Sequence, residues 1–197
     1  MTGGYDPARI RGRLRPVRLA RMFRLIHRTH RRRPLHAVPA PSRFSDPAGK
    51  YAVLYAAEAV RCCFWEALVR NRFDRRKRRE LPRADVEARM VLSFASTEAL
   101  KLVDLRGDGP IRISAPTAVA HDADHAAGRA LSAATHAGVP EAAGFLFQSR
   151  FTGHLCVALF DRVIGKLETI SIAPLAEHAD FLEAIEDYEI TLLNPPG

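Results

Sequence analysis

Residues 144–172 read GFLFQSRFTGHLCVALFDRVIGKLETISI, and this run decides the fold class. It divides into three apolar segments, Gly144–Phe151, Leu155–Phe160 and Leu167–Ile172, each of strand length and rich in aromatic and branched residues. No helix-length pattern separates them. Consecutive strands of this kind exclude a doubly wound sheet and predict an α+β fold, its strands largely antiparallel and flanked by helices.

Working outward, Met22–Ile26 is expected to be a short first strand, followed by an extended loop that Pro34, Pro39 and Pro41 enforce. Asp46-Pro47-Ala48-Gly49 is a turn signal. Tyr51–Ala57 then reads as a strand and Glu58–Asn71 as a helix, apolar around most of its circumference and therefore central. Residues 72–85 are expected to be a charged loop. Met90–Ala95 and Leu100–Leu105 are strands, and Asp122–Ala137 is a helix that Asp122 caps and Gly138 stops. A helix over His178–Asp187 and a strand over Glu189–Leu193 close the chain.

At 197 residues, 47% of them apolar, the chain fits a single domain with a sizeable core. No apolar stretch reaches the roughly 20 residues a membrane span requires. The N-terminus lacks the apolar core of a secretory signal, so a cytoplasmic location is expected. Cys62, Cys63 and Cys156 form no disulfide framework, and all three sit in apolar surroundings that read as core.

The formal charge is +8, with basic residues crowded into the first 83 positions. Residues 1–20 are expected to be a basic, flexible arm, and residues 21–197 the folded domain. Such basic patches attract polyanions, whether nucleic acid, an anionic cofactor or an acidic protein. Gly107-Asp108-Gly109 lacks the third glycine of a dinucleotide-binding fingerprint and opens no helix, which removes a redox use of a nicotinamide cofactor. His121 and His125 have metal-ligand spacing but no accompanying glutamate, and no metal is expected.

Glu66 is the lone charge in Cys62-Cys63-Phe64-Trp65-Glu66-Ala67-Leu68-Val69. An ionised group in such company needs cations or donors supplied from elsewhere in the chain. The candidates are Arg24 with His27 in the first strand, Ser42-Arg43-Phe44 in the loop, Tyr55 at a strand end, and Ser149 in the first of the three late strands.

The order Arg24, Arg43, Tyr55, Glu66, Ser149, with Gly49 between, resembles the RES domain family. Members are toxins of bacterial toxin–antitoxin pairs that consume NAD. The resemblance implies an ADP-ribosyltransferase-like fold, with NAD as substrate in a cleft between two small sheets and no bound cofactor. It implies catalytic roles for Glu66 and Arg43. Arg24 is expected to bind the diphosphate, Tyr55 the nicotinamide ribose, His27 a phosphate and Ser149 the substrate. Water or inorganic phosphate would accept the ribosyl group. The implied partner is an Xre-like antitoxin that plugs the cleft, in a homo-oligomer or a toxin–antitoxin hetero-oligomer. Two alternatives stay open at this point: transfer of ADP-ribose to a macromolecule, and a non-enzymatic nucleic-acid-binding module built on the basic arm.

Overall fold

The computed structural model describes residues 4–46, 48–70, 72–73 and 78–194. The chain opens with a short helix, α1 (Pro7–Arg11), and a strand, β1 (Leu14–Val17), before β2 (Met22–His27). The proline-containing loop leads to β3 (Val53–Ala57), and α2 (Val60–Phe64) follows, widening at once into a π-helical turn over Trp65–Val69. Then come β4 (Glu80–Pro82), α3 (Arg83–Glu87), β5 (Arg89–Ser96), β6 (Leu100–Asp104), α4 (Gly109–Arg112) and α5 (Ala126–Gly138). The late segments are β7 (Gly144–Gln148), β8 (Leu155–Phe160), β9 (Leu167–Pro174), α6 (Ala179–Asp187) and β10 (Thr191–Leu193). Among the described residues no helix is long and apolar enough to cross a membrane.

Eight strands form one sheet in the order β1-β6-β7-β8-β3-β2-β5-β9, and β10 pairs with β4 in a small second sheet. Within the large sheet β6 and β7 run parallel, while the other neighbours are antiparallel. The fold class is therefore the expected α+β. Gly144 opens β7 at φ 145°, and a Cβ there would stand 2.0 Å from the Ala158 carbonyl oxygen of β8. Only glycine permits so close a strand approach.

One seam matters more than the rest. β2 pairs with β5 along its whole length and β3 with β8 likewise, but β2 and β3 meet at the single pair Phe23↔Ala57. From there the two strands splay, dividing the sheet into halves with a cleft between.

Packing follows the side-chain alternation of the strands. Phe44, Phe145, Phe160 and Leu131 fill the core on the α5 side, and Leu54, Leu92, Phe94 and Leu159 fill the opposite face. A third cluster joins α2 to α6 through Phe64 and Phe181, in edge-to-face contact at 5.1 Å. Each fully buried phenylalanine stabilises the fold by about 1.5–3 kcal/mol. Arg61 reinforces the α2–α6 contact by bonding Asp180 (2.7 Å) and reaching Glu183 and Asp187.

Where it is described, the basic arm is packed onto the domain. Ile10 is fully buried, Leu19 nearly so, β1 pairs with β6, and Arg13 lies against Asp104. Two apolar anchors hold the segment, Arg13 turns inward to Asp104 while Arg9, Arg11, Arg15 and Arg18 are exposed, and Pro16 is tolerated because β1 is an edge strand. Residues 1–3 lie outside the described residues. The charged segment also differs: residues 80–87 form β4 and α3, while residues 74–77 lie outside the described residues.

α5 begins at Ala126, not Asp122, because Asp122 and Asp124 turn their carboxylates back onto the Asp124 and Ala126 amides. Gly138 is its last residue, where a Cβ would stand 2.9 Å from Pro7 Cγ of α1. Gly49, at φ 68°, ends the expected turn by donating to the Asp46 carbonyl, although Pro47 lies outside the described residues.

Candidate active site

A cavity of about 380 Å³ occupies the cleft between β2 and β3, within the range that holds small-molecule ligands. Arg24 and Leu25 line it from β2, Val53, Tyr55, Ala56 and Ala57 from β3, and Glu66 and Arg70 from the π turn and its end. The loop carrying Ser42 and Arg43 closes one side, and the segment after β7, with Arg150 and Phe151, closes another.

Glu66 sits in the widened turn. The Arg70 amide donates to the Trp65 carbonyl at 2.7 Å, five residues back rather than four. In a regular helix Arg70 would stand over Glu66 as its i,i+4 partner. Here Arg70 leaves helical conformation as the turn ends, and its guanidinium bonds His125 at 3.2 Å. Glu66 joins none of the ion pairs formed among the described residues. Interruptions of this kind recur at functional sites.

Ser149 holds the carboxylate. Its hydroxyl donates to Glu66 Oε1 at 2.8 Å and accepts the Phe151 amide at 3.2 Å, while the residue is 4% exposed. It reaches Glu66 from behind rather than lining the cavity, so its contact is with the acid.

Arg43 is fixed in three ways. Its guanidinium donates to the Asp122 carbonyl, and its backbone and Cγ press on α5 at Gly128. A Cβ at Gly128 would stand 2.7 Å from the Arg43 carbonyl oxygen. Burial lowers the Arg43 pKa first, and the nearby charges of Arg70 and Arg150 lower it further, with Tyr55 and Glu66 opposing. Arg24 also has a pKa lowered by burial, and its guanidinium donates to the His36 carbonyl at 3.2 Å.

Tyr55 lines the cavity with its ring, but its hydroxyl is committed to the loop. It accepts the Phe44 amide at 2.9 Å and donates to Ser42 Oγ at 3.2 Å. Burial raises its pKa. Tyr55 therefore fixes the segment that presents Arg43.

The cavity gathers Arg24, Arg43, Tyr55 and Glu66, and Ser149 supports Glu66 from outside it. His27 is not among the lining residues. It ends β2 beyond Arg24 and Leu25, and its ring caps the following turn at Thr29 (2.8 Å).

Arg70, Arg150 and His121 were not expected in the site and line it. In so arginine-rich a chain the signal was adjacency alone, Arg70 closing the Glu66 helix and Arg150 following Ser149. His121 and His125 have pKa values lowered first by burial and then by the arginines, Arg43 foremost, so both are neutral at pH 7. Among the described residues no group of three His, Cys, Asp or Glu side chains is placed to hold a metal ion.

The arrangement is one hydrogen-bonded carboxylate amid four guanidinium groups, in a cleft with apolar walls. The cations suit an anionic ligand, and the carboxylate suits a centre that becomes positive.

A model of the RES domain family matches residues 18–181. The chain belongs to the RES domain family. Its RES domain is 31% identical over 111 residues to a probable toxin, y4kH, of Sinorhizobium fredii (strain NBRC 101917 / NGR234), a match spanning 56% of this chain and 87% of that protein. It is similar in structure to a chain in the crystal structure of the M. tuberculosis MbcT–MbcA toxin–antitoxin complex, with TM-score 0.64 and 14% identity. That alignment covers 90% of this chain and 95% of the other. The likeness is one of fold. The RES match begins after β1, so α1 and β1 lie outside it.

Proposed function

We propose that this RES domain protein is a toxin that destroys NAD by cleaving the nicotinamide–ribose bond. The observation that carries the proposal is a carboxylate that joins no ion pair among the described residues, held by Ser149 in a cavity lined by arginines. Arg24 and Arg43 would grip the diphosphate, each charge-assisted bond contributing about 1.5–3 kcal/mol. Loss of neutral nicotinamide leaves a ribose cation, and Glu66 would stabilise that developing charge. Water or inorganic phosphate then attacks the anomeric carbon. The products are nicotinamide with ADP-ribose, or with ADP-ribose-1″-phosphate. Relatedness to y4kH and likeness to the MbcT–MbcA complex support a toxin neutralised by a protein partner that covers the cleft.

The test is to incubate purified protein with NAD, with and without phosphate, and to identify the products. Glu66→Gln is expected to remove about 10²–10³ of the rate while the protein stays folded. Full turnover by a folded Glu66→Gln variant would exclude Glu66. NAD labelled in its ADP-ribose half separates cleavage from macromolecular transfer, since transfer leaves the label on protein or nucleic acid.

A further inference from the structure

Two of the three cysteines meet behind Glu66. Cys62 Sγ lies 3.6 Å from Cys156 Sγ, and both belong to the core cluster on the α5 side. Cys62 is on α2, one helical turn before Glu66, and Cys156 is on β8, opposite Phe147 of β7. Cys156 and Cys63 line the cavity, while Cys62 is fully buried behind Cys156, so a small solute entering the cleft meets the pair at Cys156. Cys63 is separately engaged, its thiol donating to the Phe23 carbonyl at 3.0 Å. All three are free thiols.

We infer that Cys62 and Cys156 are a peroxide-responsive thiol pair, and that their disulfide disables the site next to it. One sulfur attacks a peroxide oxygen, the O–O bond breaks, and the departing hydroxide is protonated to water. The second sulfur then attacks the sulfenic acid so formed. The S–S bond closes, and the oxygen leaves as a second water with the remaining thiol proton. Two thiols are oxidised and one peroxide is reduced.

The local chemistry suits the first step. The contact with Cys156 lowers the Cys62 pKa below its ordinary value, with burial and the charge of Glu66 opposing. The same contact, then burial, raises Cys156. Thiolate character is what makes a cysteine oxidisable.

The geometry supplies the consequence. A disulfide brings its sulfurs to about 2.05 Å, so the pair must close by about 1.5 Å. That movement draws α2 toward β8 and displaces Glu66 relative to Ser149, whose segment follows the neighbouring β7. A shift of this size at a reacting group costs about a hundredfold in rate. The effect on rate rests on the NAD-degrading function proposed above; the bond itself does not.

The experiment treats the reduced full-length protein with hydrogen peroxide, then measures intact mass, a protease map of cross-links and NAD turnover. The expected result is loss of two hydrogens, a Cys62–Cys156 link, and turnover reduced about a hundredfold and restored by dithiothreitol. Cys63→Ala should still form the link, and Cys156→Ser should lose both the link and the peroxide sensitivity. Should Cys156→Ser fail to fold, recovery of the native protein with dithiothreitol remains the readout. No link, a link through Cys63, or a linked protein as active as the reduced one overturns the inference. A chain that consumes no NAD before treatment overturns the functional proposal alone, and the cross-link map still decides the thiol pair.

Discussion

A carboxylate that steadies a passing positive charge has to be held still, and Ser149 does the holding. Its hydroxyl is itself aimed by the Phe151 amide, so the chain Phe151–Ser149–Glu66 has a defined direction. Removing the hydroxyl frees Glu66 to rotate and leaves the amide unsatisfied, at a cost of about 1–3 kcal/mol. Ser149→Ala is therefore expected to lower kcat by about tenfold to a hundredfold with little change in KM, as steady-state NAD consumption would show. A raised KM with unchanged kcat would instead make Ser149 a substrate contact. Glu66 itself was legible from sequence as the one charge in an apolar run. Arg70 and Arg150 were not, because thirty Lys and Arg residues make any single arginine uninformative. His27 stands at the end of β2, where its ring is taken up in capping the next turn at Thr29, a local hydrogen bond that nearness to Arg24 in sequence does not disclose.

At the scale of elements, α5 acts as the wall against which the Arg43 loop is set, and Gly128 is where they touch. Gly→Ala inside a helix ordinarily stabilises by about 1 kcal/mol. At Gly128 the added Cβ would lie 2.7 Å from the Arg43 carbonyl oxygen and 2.8 Å from Arg43 Cγ, so loop and helix must part. Gly128→Ala is expected to lower the melting temperature and raise KM for NAD about tenfold. Gly165→Ala, with nothing within 4 Å of the new atom, should change neither. The same contrast explains what the sequence disclosed. The strands of residues 144–172 carry their own apolar pattern and could be read directly. β1, β4, α3 and α4 are three to five residues long and polar or proline-bearing, and they exist because neighbours already in place pair with them or cover them. The anchors of the N-terminal arm, Ile10 and Leu19, were hidden among arginines for the same reason.

At the scale of the whole molecule, a chain of formal charge +8 has half-buried imidazoles beside guanidinium groups. His121, His125 and His136 all have pKa values below the ordinary 6.5, by burial first and by neighbouring arginines second. The unfolded chain therefore takes up protons at a higher pH than the folded one. The stability these groups contribute is complete above pH 6.5 and is lost as the pH falls from there through their lowered values. Melting curves without NAD should give a lower Tm at about pH 5.5 than at about pH 7.5, and His136→Gln should lessen the difference. A pH-independent Tm would mean that the imidazoles are as comfortable charged as neutral. The family is visible in five residues scattered over the chain, but their meeting in one place depends on the β2–β3 splay, which has no sequence signature.

The surplus residue in the turn after Phe64 has a meaning for how this gene tolerates length changes. Delete Leu68 and Arg70 falls three places after Glu66, on the same face of a coil of ordinary pitch, where its guanidinium can turn from His125 to the acid. The protein would then neutralise its own acid with its own base, silenced by an internal counterion although every residue assigned to chemistry was still present.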